Sequence, residues 1–450
     1  MPSLPNELWW NILTHAVPFG GDLAMVKSSS EQLYPFFQGN FSGFSDTHFV
    51  STQSVLWKRR NITVLNLMRV SRLWRGLAEP LLYSAFYVEQ EWRLQRFIDS
   101  IKENPILAEQ LRTLVIMPSS SMKGLREPLS DVLVLQVLGL CHGVTAVVVD
   151  PDVLSSPMSL FQSLDSSRRL RLLSAHRLRN GGFPTLMINF SDYATLQVLE
   201  LSVKDIKGHT LPFPKHITFP SLHTLVLGYL DPHALLVVGK WELPSLKKLS
   251  INRWNPTIST ALIPLIQRSY DRLEFLNACM DLLHDRALYR ILQAPPIHLR
   301  KLTLGIDTSG HSSPPMQLAV KPVLCHIITF GISKVGMIRP ENKPAWVRFF
   351  SDPTYMPHLC SVLTDATTSL LELCLRDNLP LLDVLRSFEE VLEARGVEFK
   401  GVTNDNSSFV PIKLLQEDSF EVSISLFSPS PWLISFLYQD HNPQGKIEDV

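Results

Sequence analysis

Leu196-Gln197-Val198-Leu199-Glu200-Leu201 is followed by Leu222-His223-Thr224-Leu225-Val226-Leu227, and that by Leu246-Lys247-Lys248-Leu249-Ser250-Ile251. Each stretch is apolar at its first, fourth and sixth positions, and the copies begin 26 and 24 residues apart. The fourth and sixth side chains are two residues apart, so in a strand both point to one face. The same spacing recurs upstream at Leu111-Leu114-Ile116, Val144-Val147-Val149 and Leu170-Leu173-Ala175. Downstream it recurs at Leu273-Leu276-Ala278, Leu299-Leu302-Leu304, Ile332-Val335-Met337 and Leu370-Leu373-Leu375. Successive copies are 33, 26, 26, 26, 24, 27, 26, 33 and 38 residues apart. Between them lie segments with helical periodicity, predicted over 92–104, 258–270 and 281–293; the first puts Leu94, Phe97, Ile98 and Ile101 on one stripe.

A unit of one strand and one helix cannot bury its apolar face alone, and stacking on its neighbours is what stabilises it. The period and the strand pattern resemble those of leucine-rich repeats, a resemblance that implies a strand–helix solenoid. The family pattern carries Asn or Cys eight residues after the first apolar position. Here Lys204, Leu230, Trp254, Asp281 and Asp307 stand there, so an irregular array with uneven curvature is expected. An ordinary α/β domain with leucine-rich strands is the alternative.

The first 90 residues follow a different pattern. Leu4-Pro5-Asn6-Glu7-Leu8-Trp9-Trp10-Asn11-Ile12-Leu13 reads as a helix with proline in its first turn, where a missing N–H costs nothing. A polar stretch follows, and then Leu65-Asn66-Leu67-Met68-Arg69-Val70-Ser71-Arg72-Leu73-Trp74, closed by Pro80-Leu81-Leu82-Tyr83. Leu67, Val70 and Trp74 are predicted to share one helical face. These two stretches resemble the two halves of an F-box, and with the repeats they look like fungal F-box proteins with degenerate leucine-rich repeats. The match covers 4–17 and 62–88, and an insert at about 18–61 departs from it. The resemblance implies a substrate-recognition subunit of a Skp adaptor–cullin–F-box ubiquitin ligase, with cullin and RING subunits reached through the adaptor. The adaptor contacts it implies are Leu4, Pro5, Glu7, Leu8, Ile12, Leu67, Val70 and Trp74. In the alternative, Leu8 and Trp74 only pack on the first repeat, and 1–90 is a terminal cap of a repeat scaffold.

The expected fold is therefore α/β: a helical F-box over 1–90, a degenerate leucine-rich-repeat solenoid over 91–403, and an extension over 404–450. The extension is expected to be partly disordered, with a strand-like alternation at 420–426. On the strands, the third and fifth positions point away from the apolar face and are expected to line an exposed sheet. A protein substrate would meet Glu200, Thr224, Lys248, Phe275, Asn277 and Lys301 there. Lys248, Arg253 and Lys301 are the nearest approach to a phosphate-reading cluster, and Tyr229, Trp254 and Asp281 are candidates for a rim.

Composition narrows the function classes. The chain has 42 Lys+Arg against 42 Asp+Glu, without the basic surplus that nucleic-acid binding needs, so no nucleic-acid partner is expected. Residues 132–149 carry no charge but divide into a buried helix and a strand; no membrane span is expected, and no secretory leader is read at the start. Five cysteines without a C-x-x-C pair read as reduced thiols in a cytoplasmic or nuclear protein. The adjacent pairs Cys141-His142 and Cys325-His326 read as structural, because neighbouring side chains diverge. No phosphate-loop, dinucleotide, zinc-protease or nucleophile-elbow motif occurs, so neither catalysis nor a cofactor is expected. The basic run Lys58-Arg59-Arg60 is read as solvated surface or an import signal.

Overall fold

The structure, a computed structural model, describes residues 8–9, 60–88, 90–117, 129–150, 154, 159–160, 163–164, 169–178, 194–203, 217–228, 230, 232–251, 256–278, 298–305, 326–333, 338, 340–367, 380–402 and 409–411. Their strands form one sheet of thirteen, arranged in sequence order. They are β1 (Ala85–Val88), β2 (Thr113–Ile116), β3 (Ala146–Val149), β4 (Leu172–Leu178), β5 (Val198–Val203) and β6 (Thr224–Leu227). The sheet continues with β7 (Lys248–Ile251), β8 (Phe275–Ala278), β9 (Lys301–Gly305), β10 (Thr329–Ser333), β11 (Ser361–Thr367), β12 (Glu398–Val402) and β13 (Phe409–Pro411). Neighbours from β1 to β12 pair in parallel, and β13 returns antiparallel to β12.

Register lines up the expected apolar positions. Leu114, Val147, Leu173, Leu199, Leu225, Leu249, Leu276 and Leu302 stand opposite one another across eight strands. All eight are buried in a single core that runs from Val88 to Phe399. Helices cover this face: α1 (Arg72–Tyr83), α2 (Glu91–Glu103), α3 (Ile106–Gln110), α4 (Asp131–Leu140), α5 (Pro232–Val238), α6 (Pro256–Ser269), α7 (Lys343–Ser351) and α8 (Pro380–Ala394). The helices expected over 92–104 and 258–270 are α2 and α6, and the uncharged stretch 132–149 divides into α4 and β3. The helix expected over 281–293, the strand-like alternation at 420–426 and the 18–61 insert, apart from Arg60 and Asn61, lie outside the described residues.

The last two repeats differ from the expectation. β10 carries the pattern as Ile327-Phe330-Ile332, five residues before the predicted copy, and β11 carries it as Leu359-Val362-Thr364. Residues 368–379, with the predicted Leu370 copy, lie outside the described residues. These strands belong to longer repeats, and aromatic rings fill the core between them and their helices. Trp346, Phe349 and Phe350 of α7 meet Phe388 of α8 and Phe330 of β10, with ring centroids 5.3–6.3 Å apart. Aromatic side chains bring the largest apolar areas, and tilted or edge-to-face contacts of this kind add to their burial.

Arginines tie consecutive repeats together where helices end. The last carbonyls of a helix lack intrahelical partners and carry the negative end of its dipole. Arg268 Nη2 donates to Gly239 O (2.7 Å) and Trp241 O (3.0 Å), just beyond α5. Arg395 reaches Phe350 O (2.5 Å) in the last turn of α7 and Met356 O (2.9 Å) beyond it.

Candidate functional site

The first candidate surface is the helical unit ahead of β1. Residues 60–70 are helical, Ser71 interrupts, and α1 begins at Arg72. Ser71 is extended (φ −163°, ψ 171°), and its hydroxyl accepts the Trp74 N–H at 3.2 Å, the arrangement of an N-cap. The single face expected for Leu67, Val70 and Trp74 is therefore divided between two helices. Leu67 and Trp74 pack on a small core of Val64, Ala78 and Leu81. Val70 points outward at 62% exposure, joined by Leu73 at 51% and Leu8 at 47%. Leu8 and Trp9 are helical, and the Trp9 ring lies 5.3 Å from that of Trp74, so the two halves of the motif meet. Leu4, Pro5, Glu7 and Ile12 lie outside the described residues.

Arg60 corrects the surface reading of the basic run. It is fully buried, and its Nη2 donates to Leu81 O and to Ser84 Oγ (3.1 Å), at the junction of α1 and β1. Burial lowers its pKa to about 10, so it stays charged at neutral pH. Residue spacing gives no hint of this clamp, whose partner is 21 positions away. Ser84 O in turn accepts the N–H groups of Arg112 and Thr113, joining the helical unit to the first pair of strands.

The second candidate surface is the sheet face turned away from the helices. Its residues are largely covered, against the expectation of an open strip. Glu200 is 6% exposed, and Thr224, Phe275 and Asn277 are buried too; Lys248 and Lys301 are half-buried. In-register side chains of neighbouring strands stand about 4.8 Å apart, so a short residue between larger ones is covered by them. Thr224 lies between Val198 and Lys248 in this way, and Ser250 between Val226 and Asn277. Toward β1 the face is apolar, with Tyr87, Val115, Val148, Leu172 and Val198 in one cluster. From β4 onward it becomes a broken polar ladder, in which hydrogen-bonded pairs are set between apolar residues such as Val226 and Phe275. Ser174 Oγ donates to Glu200 Oε2 (2.6 Å), Asn277 Nδ2 to Ser250 Oγ (2.9 Å), and Ser361 Oγ to Thr329 Oγ1 (3.1 Å).

Burial raises the Glu200 carboxyl to about 7, with the Ser174 hydrogen bond pulling weakly the other way. His223 is pushed down, first by burial and then by Lys248 and Lys247. The Cys141 thiol is raised to about 12 by burial, as suits the structural role expected of it. Tyr229, Arg253, Trp254 and Asp281 lie outside the described residues, as does Cys325. Among the described residues no group of metal-binding side chains converges, and no helix is long and apolar enough to cross a membrane.

No family model matches the chain, and no curated protein matches it. One solved structure it resembles is that of the Rad7 and Elc1 complex in yeast, with a TM-score of 0.37 and 14% identity over 72% of this chain and 90% of that one. The strand order and register, independent of that likeness, define the chain as a parallel strand–helix solenoid preceded by a helical unit.

Proposed function

We propose that the chain is a non-catalytic substrate receptor of a Skp adaptor–cullin–F-box ubiquitin ligase. The helical unit docks the adaptor, and the solenoid holds a protein substrate. The observation that carries this reading is three exposed apolar side chains, Leu8, Val70 and Leu73, on a unit that already has its own core. Large apolar side chains left exposed beside a formed core are available for a protein contact. The sequence resemblance supports the reading independently, because the motif residues Leu8 and Val70 are among those exposed.

The test is co-expression with a Skp-type adaptor, comparing wild type with a Leu8→Ala/Val70→Ala double variant. Both side chains are exposed, so the variant is expected to fold. If these are anchors, truncation costs about 2 kcal/mol or more, a loss of about thirtyfold in adaptor affinity. Equal recovery of the adaptor by both proteins would refute the assignment of this surface.

A second reading has its own observation. Arg60 and Ser84 lock the helical unit onto the β1 edge, which is the task of a terminal cap. A scaffold of this kind would be monodisperse alone and would leave the adaptor unbound.

A further inference from the structure

The residues just upstream of the strands form a row along the edge of the sheet where the strands begin. From β7 to β11 this row is Lys247, Glu274, Arg300, Ile328 and Cys360, and from Glu274 on each N–H donates to the carbonyl of the residue before it in the row at 2.8–2.9 Å. Glu274 is the one carboxylate in this row, and it is turned to one side: Lys247 Nζ donates to its Oε1 at 2.9 Å. Arg300, on the other side, has no acidic partner among the described residues, and it is exposed. It borders a shallow, open depression of about 690 Å³ at the beginnings of β9, β10 and β11. His326 and His358 add polar nitrogens to the wall, Ile328 and Leu359 add apolar surface, and no carboxylate lines it.

We infer that this depression is the docking site for a carboxylate side chain of a protein ligand, next to an apolar residue. A guanidinium with no acidic partner among the described residues presents a planar fork that matches a carboxylate with two hydrogen bonds. A single arginine falls short of the cluster that a phosphate calls for. The imidazoles flank the anion, and Ile328 and Leu359 take the neighbouring apolar side chain. The chain as a whole is neutral, so the attraction is local to this edge and is no general field. The inference deepens the receptor reading and rests on its recognition half alone; adaptor docking plays no part in it.

The test uses the full chain and three fluorescent ten-residue peptides. One alternates Glu and Leu, one has phosphoserine at the Glu positions, and one has Gln there. The Glu peptide is expected to bind about tenfold more tightly than the Gln peptide, with an affinity that falls as salt is added. Tighter binding of the phosphoserine peptide than of the Glu peptide overturns the assignment to a carboxylate. Arg300→Glu is expected to abolish the preference, whereas Arg386→Glu, the same charge change on exposed α8, retains it. Should Arg300→Glu fail to fold, His358→Leu, which removes one flanking nitrogen, is expected to reduce the same preference. Equal binding of the Gln peptide, or an equal loss with Arg386→Glu, overturns the pocket. Adaptor capture by the same preparations is read separately. Peptide selectivity without capture leaves the pocket standing, and capture without selectivity removes the pocket while the receptor reading survives.

Discussion

Replacing Glu200 by Gln removes a proton-binding group from the buried polar ladder while keeping the shape of the side chain and an oxygen to accept from Ser174. The ordinary carboxyl value near 4.5 rises to about 7 in the folded protein, with burial as the main cause. A raised carboxylate value means that the folded chain holds the proton more tightly than the unfolded chain. Between about pH 4.5 and pH 7 the native state therefore binds more protons, and stability falls as the pH rises through that window. Below it both states are protonated and Glu200 costs nothing; above it the folded protein carries a buried charge. At about 1.4 kcal/mol for each tenfold change in proton affinity, the full difference is about 3 kcal/mol. Glu200→Gln is thus expected to match wild type near pH 4.5 and to exceed it by about 3 kcal/mol at pH 8. Urea unfolding of the two proteins at a series of pH values, followed by far-ultraviolet circular dichroism, measures the difference directly, and every other titrating group cancels. Curves that stay parallel from pH 4.5 to 8 would refute the reasoning, because they would show that Glu200 ionises alike in both states.

Two further substitutions probe how the repeats are joined. A Cβ added at Gly239 would stand 2.1 Å from Ala261 O and 3.3 Å from Leu235 O, both backbone atoms, so α5 and α6 must separate. Gly239→Ala is expected to cost about 1–3 kcal/mol, read as a lower calorimetric midpoint. Arg395→Ala leaves the carbonyls of Phe350 and Met356 without their donor and is expected to cost about 2 kcal/mol. The loss should appear as faster amide exchange in β11 and β12 with little change in β5, since repeats feel mainly their neighbours. Uniform acceleration along the whole chain would contradict that locality.

The strands β2 to β9 are legible because a parallel sheet covered by helices needs an apolar residue at every second inward position, and leucine occupies most of them. β1 has the same spacing, Tyr83-Phe86-Val88, but it sits inside the stretch that resembles the close of the F-box. At β10 two overlapping frames, Ile327-Phe330-Ile332 and Ile332-Val335-Met337, are apolar at all three positions, and spacing alone does not choose between them. β11 is hidden by Thr364, a fully buried hydroxyl where the pattern calls for an apolar side chain. The face opposite the helices is harder still to read. Alternation shows which way Glu200 and Asn277 point, but their cover depends on the size of neighbours 26 or 27 residues away. At the helical unit, spacing placed Val70 and Trp74 on one face and could not register that the Ser71 hydroxyl restarts the helix between them. The unpaired state of Arg300 among the described residues has no sequence signature either, because it depends on which neighbour in the row Glu274 turns toward.

Among the described residues, each strand of the sheet hydrogen-bonds only to the strands just before and after it in the chain. For a nascent polypeptide leaving the ribosome, this makes the order of synthesis also an order in which the sheet can assemble. The helical unit emerges ahead of the sheet and, through Arg60 and Ser84, presents β1 as a ready template. From β3 to β9, each further strand needs only the 24–27 residues behind it to find its place. No strand waits for a distant partner, so unpaired edges stay short-lived and the loop closed at every step is small.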